Sequence, residues 1–255
     1  MKEKFQHLIR WYFNSLYESM CEKRYSVQMQ LVEQDSNSCL LDCGCREGDN
    51  TLRLAQKVGT HKIVGLDYIY NELNKARKRG IICFQSNLND NIPLQDESVD
   101  VILATDVIEH LINPSNFIKE MFRILKPTGY VIVDTPNLAS WHNIFALLIG
   151  IQPFSGPNLT TMEDSDLDIV KKMHRVSHNL TEDGEYQEHS ELELTRHIIV
   201  IAYISLKNLF KSVGFRIEKE YGFGYYPFPP FLANILQRAD IRHTHHLVMK
   251  IRKVL

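Results

Sequence analysis

Leu40-Leu41-Asp42-Cys43-Gly44-Cys45-Arg46-Glu47-Gly48 is the stretch that decides how this chain is read. A short apolar run, Cys39–Cys43, reaches an acid and then a glycine. A segment with helical spacing, Asp49–Val58, follows and stops at Gly59. Strand, glycine turn and helix in that order form the first unit of an open α/β sheet, whose ligands sit beyond the carboxyl ends of the strands. Gly44 lets the main chain approach a ligand with no Cβ in the way, and Gly48 permits the tight entry into the helix.

Working outward, strands and helices alternate. Lys62–Leu66 reads as a second strand ending at Asp67, Asn71–Arg79 as a helix closed by Gly80, Ile81–Phe84 as a third strand, and Val99–Ala104 as a fourth ending near Asp106. Asn113-Pro114 opens a helix, with Asn as N-cap and Pro at the first helical position. Phe117, Met121 and Ile124 give that helix its apolar stripe. Lys126–Gly129 reads as a turn, Tyr130–Val133 as a fifth strand and Ala139–Ile149 as a helix. After Ser205 come a helix ended by Gly214, a strand Phe215–Tyr221, an aromatic and proline-rich rigid loop at Gly222–Pro230, and an alternating strand His246–Ile251. The alternation predicts an α/β fold with a mostly parallel sheet and helices on both faces. The domain reading is an N-terminal helical segment over 1–35, a nucleotide-binding core over 36–150, an insertion or lid over 151–196, and a C-terminal helix with closing strands over 197–255. Residues 160–195 hold ten acidic side chains against three basic ones and little periodicity, which marks the insertion off from its flanks.

Composition narrows the function. The chain has 255 residues, is 44% hydrophobic and 24% charged, and carries a formal net charge of −2. That balance makes no strong field for nucleic acid or anionic lipid, so no nucleic-acid partner is expected. The N-terminus lacks the apolar stretch and small residues of a signal peptide, and no apolar run approaches a membrane span. The expectation is a soluble, cytoplasmic protein with at most weak peripheral membrane contact, while the sequence is silent on oligomeric state. Five cysteines, an odd number in a chain of this size, argue against a disulfide framework. Cys39-x-x-x-Cys43-x-Cys45 has no matching Cys/His pair nearby, so no metal is expected there.

Polar residues close the next three strands. Asp67, about twenty residues after Gly48, can accept both hydroxyls of a ribose. Asn87-Leu88 offers a side-chain amide and a backbone N–H to an adenine edge. Asp106 ends strand four. As the strands are parallel, all fall on one rim. A dinucleotide site would require G-x-G-x-x-G, whereas the spacing here is Gly44-x-x-x-Gly48.

At this point the chain resembles the class I S-adenosylmethionine-dependent methyltransferases, of the small-molecule type. Asp42-x-Gly44-x-x-x-Gly48 is similar to their first motif, (D/E)-x-G-x-G-x-G. Asn87–Asp100 resembles D-L-x-x-x-L-P-F-x-x-x-S-F-D. Asp106-Val107-Ile108-Glu109-His110-Leu111 matches the E-V-I-E-H-L box, Leu125–Gly129 matches L-K-P-G-G, and Asp134–Asn137 resembles x-x-P-N. The resemblance covers roughly 36–140 well and 197–221 more weakly. It implies a Rossmann-like seven-stranded sheet with an antiparallel last strand, S-adenosylmethionine as cofactor and a small-molecule acceptor. Asp42 and the loop Gly44, Cys45, Arg46, Gly48 would hold the methionine part, Asp67 the ribose, Asn87 and Leu88 the adenine. Asp106 and Val107 would lie beside the sulfonium. Two residues depart from the pattern: Arg46 replaces the middle glycine, and Asn87 replaces an acid. Guanidinium matches carboxylate geometry, so Arg46 is a candidate partner for the cofactor's carboxylate.

For catalysis, His110 is the first candidate base, because its box follows strand four and imidazole titrates near neutrality; bracing the Asn113 helix is its competing reading. His197 is the second, in a segment similar to H-x-R-x-F-T-x-x-x-L-x-x-L-L-x-x-x-G-F. There Ile199 and Ala202 replace Arg and Thr, which removes an acceptor contact and a helix N-cap. His142 is the third, with a helix-surface position favoured. Trp141, Phe145, Phe154, Tyr225, Tyr226, Phe228 and Phe231 could wall an apolar acceptor pocket or pack as ordinary core. The leading function is O- or N-methylation of a small molecule, in glycan, lipid or secondary metabolism. An RNA or protein methyltransferase and a non-catalytic binding module on the same fold are the alternatives.

Overall fold

The computed structural model describes residues 2–157 and 196–254. Most of the expected 151–196 insertion, residues 158–195, lies outside them. Seven strands form one sheet in the order β3-β2-β1-β4-β5-β7-β6. They are β1 (Cys39–Cys43), β2 (Lys62–Asp67), β3 (Ile82–Gln85), β4 (Val99–Thr105), β5 (Leu125–Pro136), β6 (Phe215–Phe223) and β7 (His246–Lys253). The strands β1 to β5 pair in parallel, and β7 runs antiparallel to both β5 and β6. Order reverses between β1 and β4, which places a crevice at their carboxyl ends.

Alternation along the buried strands divides the core in two. Leu41, Ile102, Val131 and Val133 face one apolar cluster, which α4 (Pro114–Ile124) and α6 (Tyr203–Val213) cover with Phe117, Ile118, Met121, Leu206 and Phe210. Leu40, Val101, Leu103 and Ile132 face the other, covered by α1 (Lys2–Leu31), α2 (Asp49–Val58) and α3 (Tyr70–Lys78). Period two in the strands meets period 3.6 in the helices on both faces. The cysteines follow the same division: Cys43 belongs to the first cluster and Cys45 to the second, and all five thiols are free.

Local chemistry explains the boundaries. Asn113 caps α4, its side chain accepting from Asn116 N at 3.1 Å, with Pro114 at the first helical position. The predicted turn at Lys126–Gly129 lies instead inside β5, as an irregularity: Thr128 takes φ +66° and the register shifts between Val99 and Val101. Pairing on both sides keeps the strand continuous through it. Ala202 supplies no side-chain cap to α6. The buried Asn137, just past β5, accepts from Tyr203 N at 3.0 Å in its place and donates to Arg242 O and Thr244 O. Gly222–Pro230, expected as a rigid loop, instead gives Gly222 and Phe223 to β6 and Pro230 to the start of α7 (Pro230–Ala239); α5 (Trp141–Leu148) meets the end of α7 through Trp141 and Asp240. Among the described residues no helix is long and apolar enough to cross a membrane.

The first helix is tied to the sheet by charge as well as by packing. Leu16, Met20, Arg24, Gln28 and Leu31 form one buried stripe. From its middle, Arg24 Nε donates to Asp134 Oδ2 at 2.8 Å and Nη2 to Asp106 Oδ2 at 2.6 Å, while Nη1 stands 2.9 Å from a His246 ring nitrogen. Gln28 Nε2 adds a bond to Asp134 Oδ2 at 2.6 Å. The helix's last turn is closed by the buried Lys250, whose Nζ donates to Leu31 O at 2.9 Å. Removing one partner of a buried ion pair strands the other. Arg24→Met is therefore expected to cost about 3–5 kcal/mol, read as a lower urea midpoint, and an Arg24→Met/Asp134→Asn double variant is expected to recover part of the loss.

Candidate functional site at the carboxyl ends of the strands

The loop leaving β1 is bent back over β2. Gly44 N and Cys45 N both donate to Leu66 O, at 2.7 and 3.0 Å. Gly44 has φ +78°, and a Cβ built on it would stand 2.9 Å from Val107 Cγ2. Gly48 has φ +84°, and its Cβ would stand 2.3 Å from Ile81 Cδ1. Both positions thus need glycine for conformation and for space. Arg46 takes φ +47° without being glycine, a strained conformation held by its own N–H, which donates to Asp67 Oδ2 at 2.8 Å. Its side chain is exposed and, among the described residues, has no ion-pair partner. The Cys45 thiol points into the core under β2, where a Cβ on Gly65 would meet it at 2.6 Å.

Three acids line the rim. Asp42, on β1, is buried and accepts a short bond from Thr51 Oγ1. Burial pushes its carboxyl up to about 7, with Thr51 pulling the other way and Asp67 adding to the rise. Asp67 ends β2, with Oδ1 accepting from Ile69 N at 2.9 Å opposite the Arg46 bond. Asp106 follows β4 in a left-handed conformation, φ +50°, with its N–H on Asp134 O at 2.8 Å and its carboxylate on Arg24. Leu88 is buried, whereas Asn87 is exposed and its Oδ1 accepts from Asn89 N and Nδ2, both at 3.1 Å. The carbonyl oxygen suited to an adenine amino group is thus engaged within its own turn.

A second group forms where residues 196–201 return to the rim. Ile198 N and Ile199 N donate to Glu109 O at 2.7 and 3.1 Å. This sets the His197 ring 5.0 Å from that of His110, edge to face. His110 Nδ1 faces Arg196 O at 2.9 Å and His197 Nδ1 faces Ser155 O at 2.7 Å, so each Nδ1 carries the proton and donates. Burial lowers both imidazoles and leaves them neutral at neutral pH. Glu109 is 1% exposed; its Oε2 accepts from Thr135 Oγ1 at 2.9 Å, and its Oε1 is buried with no hydrogen-bond partner among the described residues. Burial, reinforced by Asp106, raises its carboxyl well above the usual range.

Sequence reasoning places His142 on a helix surface, but its ring packs beside His245 at 4.5 Å and Phe154 at 5.9 Å, and burial lowers it to about 3. Of the expected aromatic wall, Tyr225 OH accepts from Trp141 Nε1 at 2.6 Å and donates to Asp240 Oδ2 at 2.7 Å, locking α5 to the segment after α7. Tyr226 lies against His142, while Phe145, Phe228 and Phe231 are exposed. Arg24, Gln28, His245 and His246 were not foreseen. A charged residue in a four-residue repeat of buried positions, Met20-Arg24-Gln28, is the signal that could have found the first two.

Residues 41–133 match a family model described as a methyltransferase domain. A Mycolicibacterium smegmatis protein named as a probable S-adenosylmethionine-dependent methyltransferase is 34% identical over 113 residues, 44% of this chain and 43% of that protein. A demethylmenaquinone methyltransferase of Lactococcus lactis is 33% identical over 129 residues, 46% of this chain and 51% of that protein. The match thus spans about half the length of these relatives. The crystal structure of an S-adenosylmethionine-dependent methyltransferase from Mesorhizobium loti superposes with a TM-score of 0.56 at 16% identity, covering 88% of this chain and 94% of that one. Residues 41–133 thus resemble a methyltransferase domain, and the sheet as a whole has the fold of S-adenosylmethionine-dependent methyltransferases of known structure.

The position of Asp42 generates a prediction. Its carboxyl rises from 3.8 to about 7 on folding, so the folded state holds this proton more tightly than the unfolded one. Stability from this group is fully present below about pH 4 and lost as pH rises through about 7. Urea unfolding across that window should show the decline, and Asp42→Asn should flatten it.

Proposed function

We propose that the chain transfers a methyl group from S-adenosylmethionine to an oxygen or nitrogen of a small acceptor with an apolar body. The observation that carries this reading is the close apposition of Gly44 to Val107 across the reversal of strand order, with the buried Asp42 and Asp67 at the ends of β1 and β2. A bare main chain beside two carboxylates fits a ligand that has a ribose, an ammonium and no pyrophosphate. S-adenosylmethionine, when bound, supplies a methyl group on a positively charged sulfur.

The chain's own residues do the rest. Asp67, already ordered by two backbone donors, accepts from the ribose hydroxyls. Asp42 and the Gly44–Gly48 loop, Cys45 through its main chain, hold the amino-acid end, and Arg46 reaches the carboxylate with its free guanidinium. Asn87 and Leu88 border the adenine. Asp106 and Val107 shape the wall next to the sulfur. Positioning of this kind lowers the barrier by fixing the approach of the acceptor. His110 and His197 stand after Asp106 in neutral form, with the lone pair at Nε2, and act on the acceptor's hydroxyl or amine. Support for an apolar acceptor comes from the exposed Trp141, Phe145 and Phe231 on α5 and α7, and from the relative that methylates demethylmenaquinone.

Calorimetry with S-adenosylmethionine tests the reading. The parent chain should bind one equivalent. Asp67→Asn should weaken binding about 10- to 100-fold, the range for hydrogen bonds to a charged acceptor, and a parent chain that takes up none would refute the assignment. Arg46→Ala should lose about tenfold if its guanidinium meets the cofactor's carboxylate; unchanged affinity removes Arg46 from the site.

A further inference from the structure

Two groups of three potential metal-ligating side chains converge at this rim, each with its ligand atoms within 4.8 Å of one another: Asp106, Asp134 and His246, and Glu109, His110 and His197. They differ in what fills them. The first already holds a cation, because the Arg24 guanidinium lies between its members at 2.6–2.9 Å. The second has no basic side chain in ion-pair contact with Glu109 among the described residues. We propose that Glu109, His110 and His197 bind a divalent transition-metal ion beside the methyl-donor site.

Four features support the assignment. Two imidazoles and one carboxylate on one side of an ion form a set that suits divalent iron, zinc and their neighbours and leaves further positions open. The residues around the ligands are in place: both Nδ1 atoms donate to main-chain carbonyls, at 2.9 and 2.7 Å, which fixes the tautomer with the lone pair on Nε2. Thr135 holds one oxygen of Glu109 at 2.9 Å and turns the carboxylate. The other oxygen, Oε1, is buried and has no hydrogen-bond partner among the described residues, in a residue only 1% exposed. An orphaned buried carboxylate oxygen costs free energy that coordination would offset. The loop bond from Ile198 N and Ile199 N to Glu109 O then serves to bring His197 to its two partners.

With Nε2 of both histidines on the metal, neither ring could take the acceptor's proton; a cation here would replace them in that role, receiving the acceptor's hydroxyl oxygen in an open position and easing loss of its proton to solvent. The oxygen lone pair then forms the new bond to the methyl carbon, and the electrons of the carbon–sulfur bond go to sulfur, which leaves as a neutral thioether. This last step rests on the methyltransferase reading, whereas occupancy by metal does not.

The test uses the whole chain, stripped with a chelator and titrated with Co²⁺, which is read by its visible absorption and then displaced by Zn²⁺. One equivalent of Co²⁺ is expected. Glu109→Gln and His197→Ala should each bind at least about tenfold more weakly, and His61→Ala, at an exposed histidine, should bind as the parent does. Thermal melting and calorimetry with S-adenosylmethionine accompany each variant. No Co²⁺ uptake by a parent chain that binds S-adenosylmethionine overturns the metal site and leaves the function standing. Equal Co²⁺ affinity in the parent and in a folded His197→Ala chain overturns it as well. Uptake of one equivalent by a chain that ignores S-adenosylmethionine supports the metal site and removes the methyltransferase reading instead.

Discussion

A single buried guanidinium organises the rim of this sheet. Asp134, fully buried on β5, and Asp106, after β4, would repel each other across the crevice, and Arg24 lies between them. The cost of desolvating Arg24 and Asp134 is large, and only close, multiple hydrogen bonds offset it. The consequence reaches along the chain. With its carboxylate on Arg24 and its N–H on Asp134 O, Asp106 is held at φ +50°. That bend sets Val107 against Gly44 and sends Glu109 and His110 toward the returning segment at 196–201. A helix that lies outside the alternating core thus sets the geometry of the site within it.

The two acid-and-histidine groups show how similar side chains serve different ends. Around Arg24 the carboxylates are satisfied by a covalently attached cation that cannot leave, which suits a structural tie. Around Glu109 the same donor types meet with one oxygen unsatisfied, which suits an exchangeable ligand. Asn137 adds a third device. Its amide joins the end of β5 to the start of α6 and the approach to β7. It does by a long-range contact what a threonine N-cap would do locally at the position Ala202 occupies.

Much of the fold was readable because its causes are local. The asparagine and proline at 113 and 114, the glycines at 59 and 214, and the alternation in β1 and β4 each fix one element boundary without reference to anything distant. The parts that resisted are those made by contacts across the chain. The Lys126–Gly129 turn became a bulge in a long strand because β4 pairs with it on both sides, at Leu125 and at Tyr130, and α7 was hidden by prolines that start a helix as readily as they rigidify a loop. The glycine loop and the strand-end acids could be placed on one rim from strand order alone. Arg24 could not, since only burial distinguishes a charged residue in a core stripe from one on a solvated face. Nor could the convergence of Glu109 with His197, which are 88 positions apart and meet through a main-chain bond that carries no residue signature.

The tie between Arg24 and His246 also sets an order of events. The first helix is made before the seventh strand, and more than two hundred residues must be added between them before both partners exist. Until then the Asp134 strand lacks its outer neighbour, and its antiparallel edge lies open. Contacts of such separation slow the search for the native arrangement. The crevice is therefore finished only after β7 has been added, and a chain stopped before it would leave Arg24 without His246.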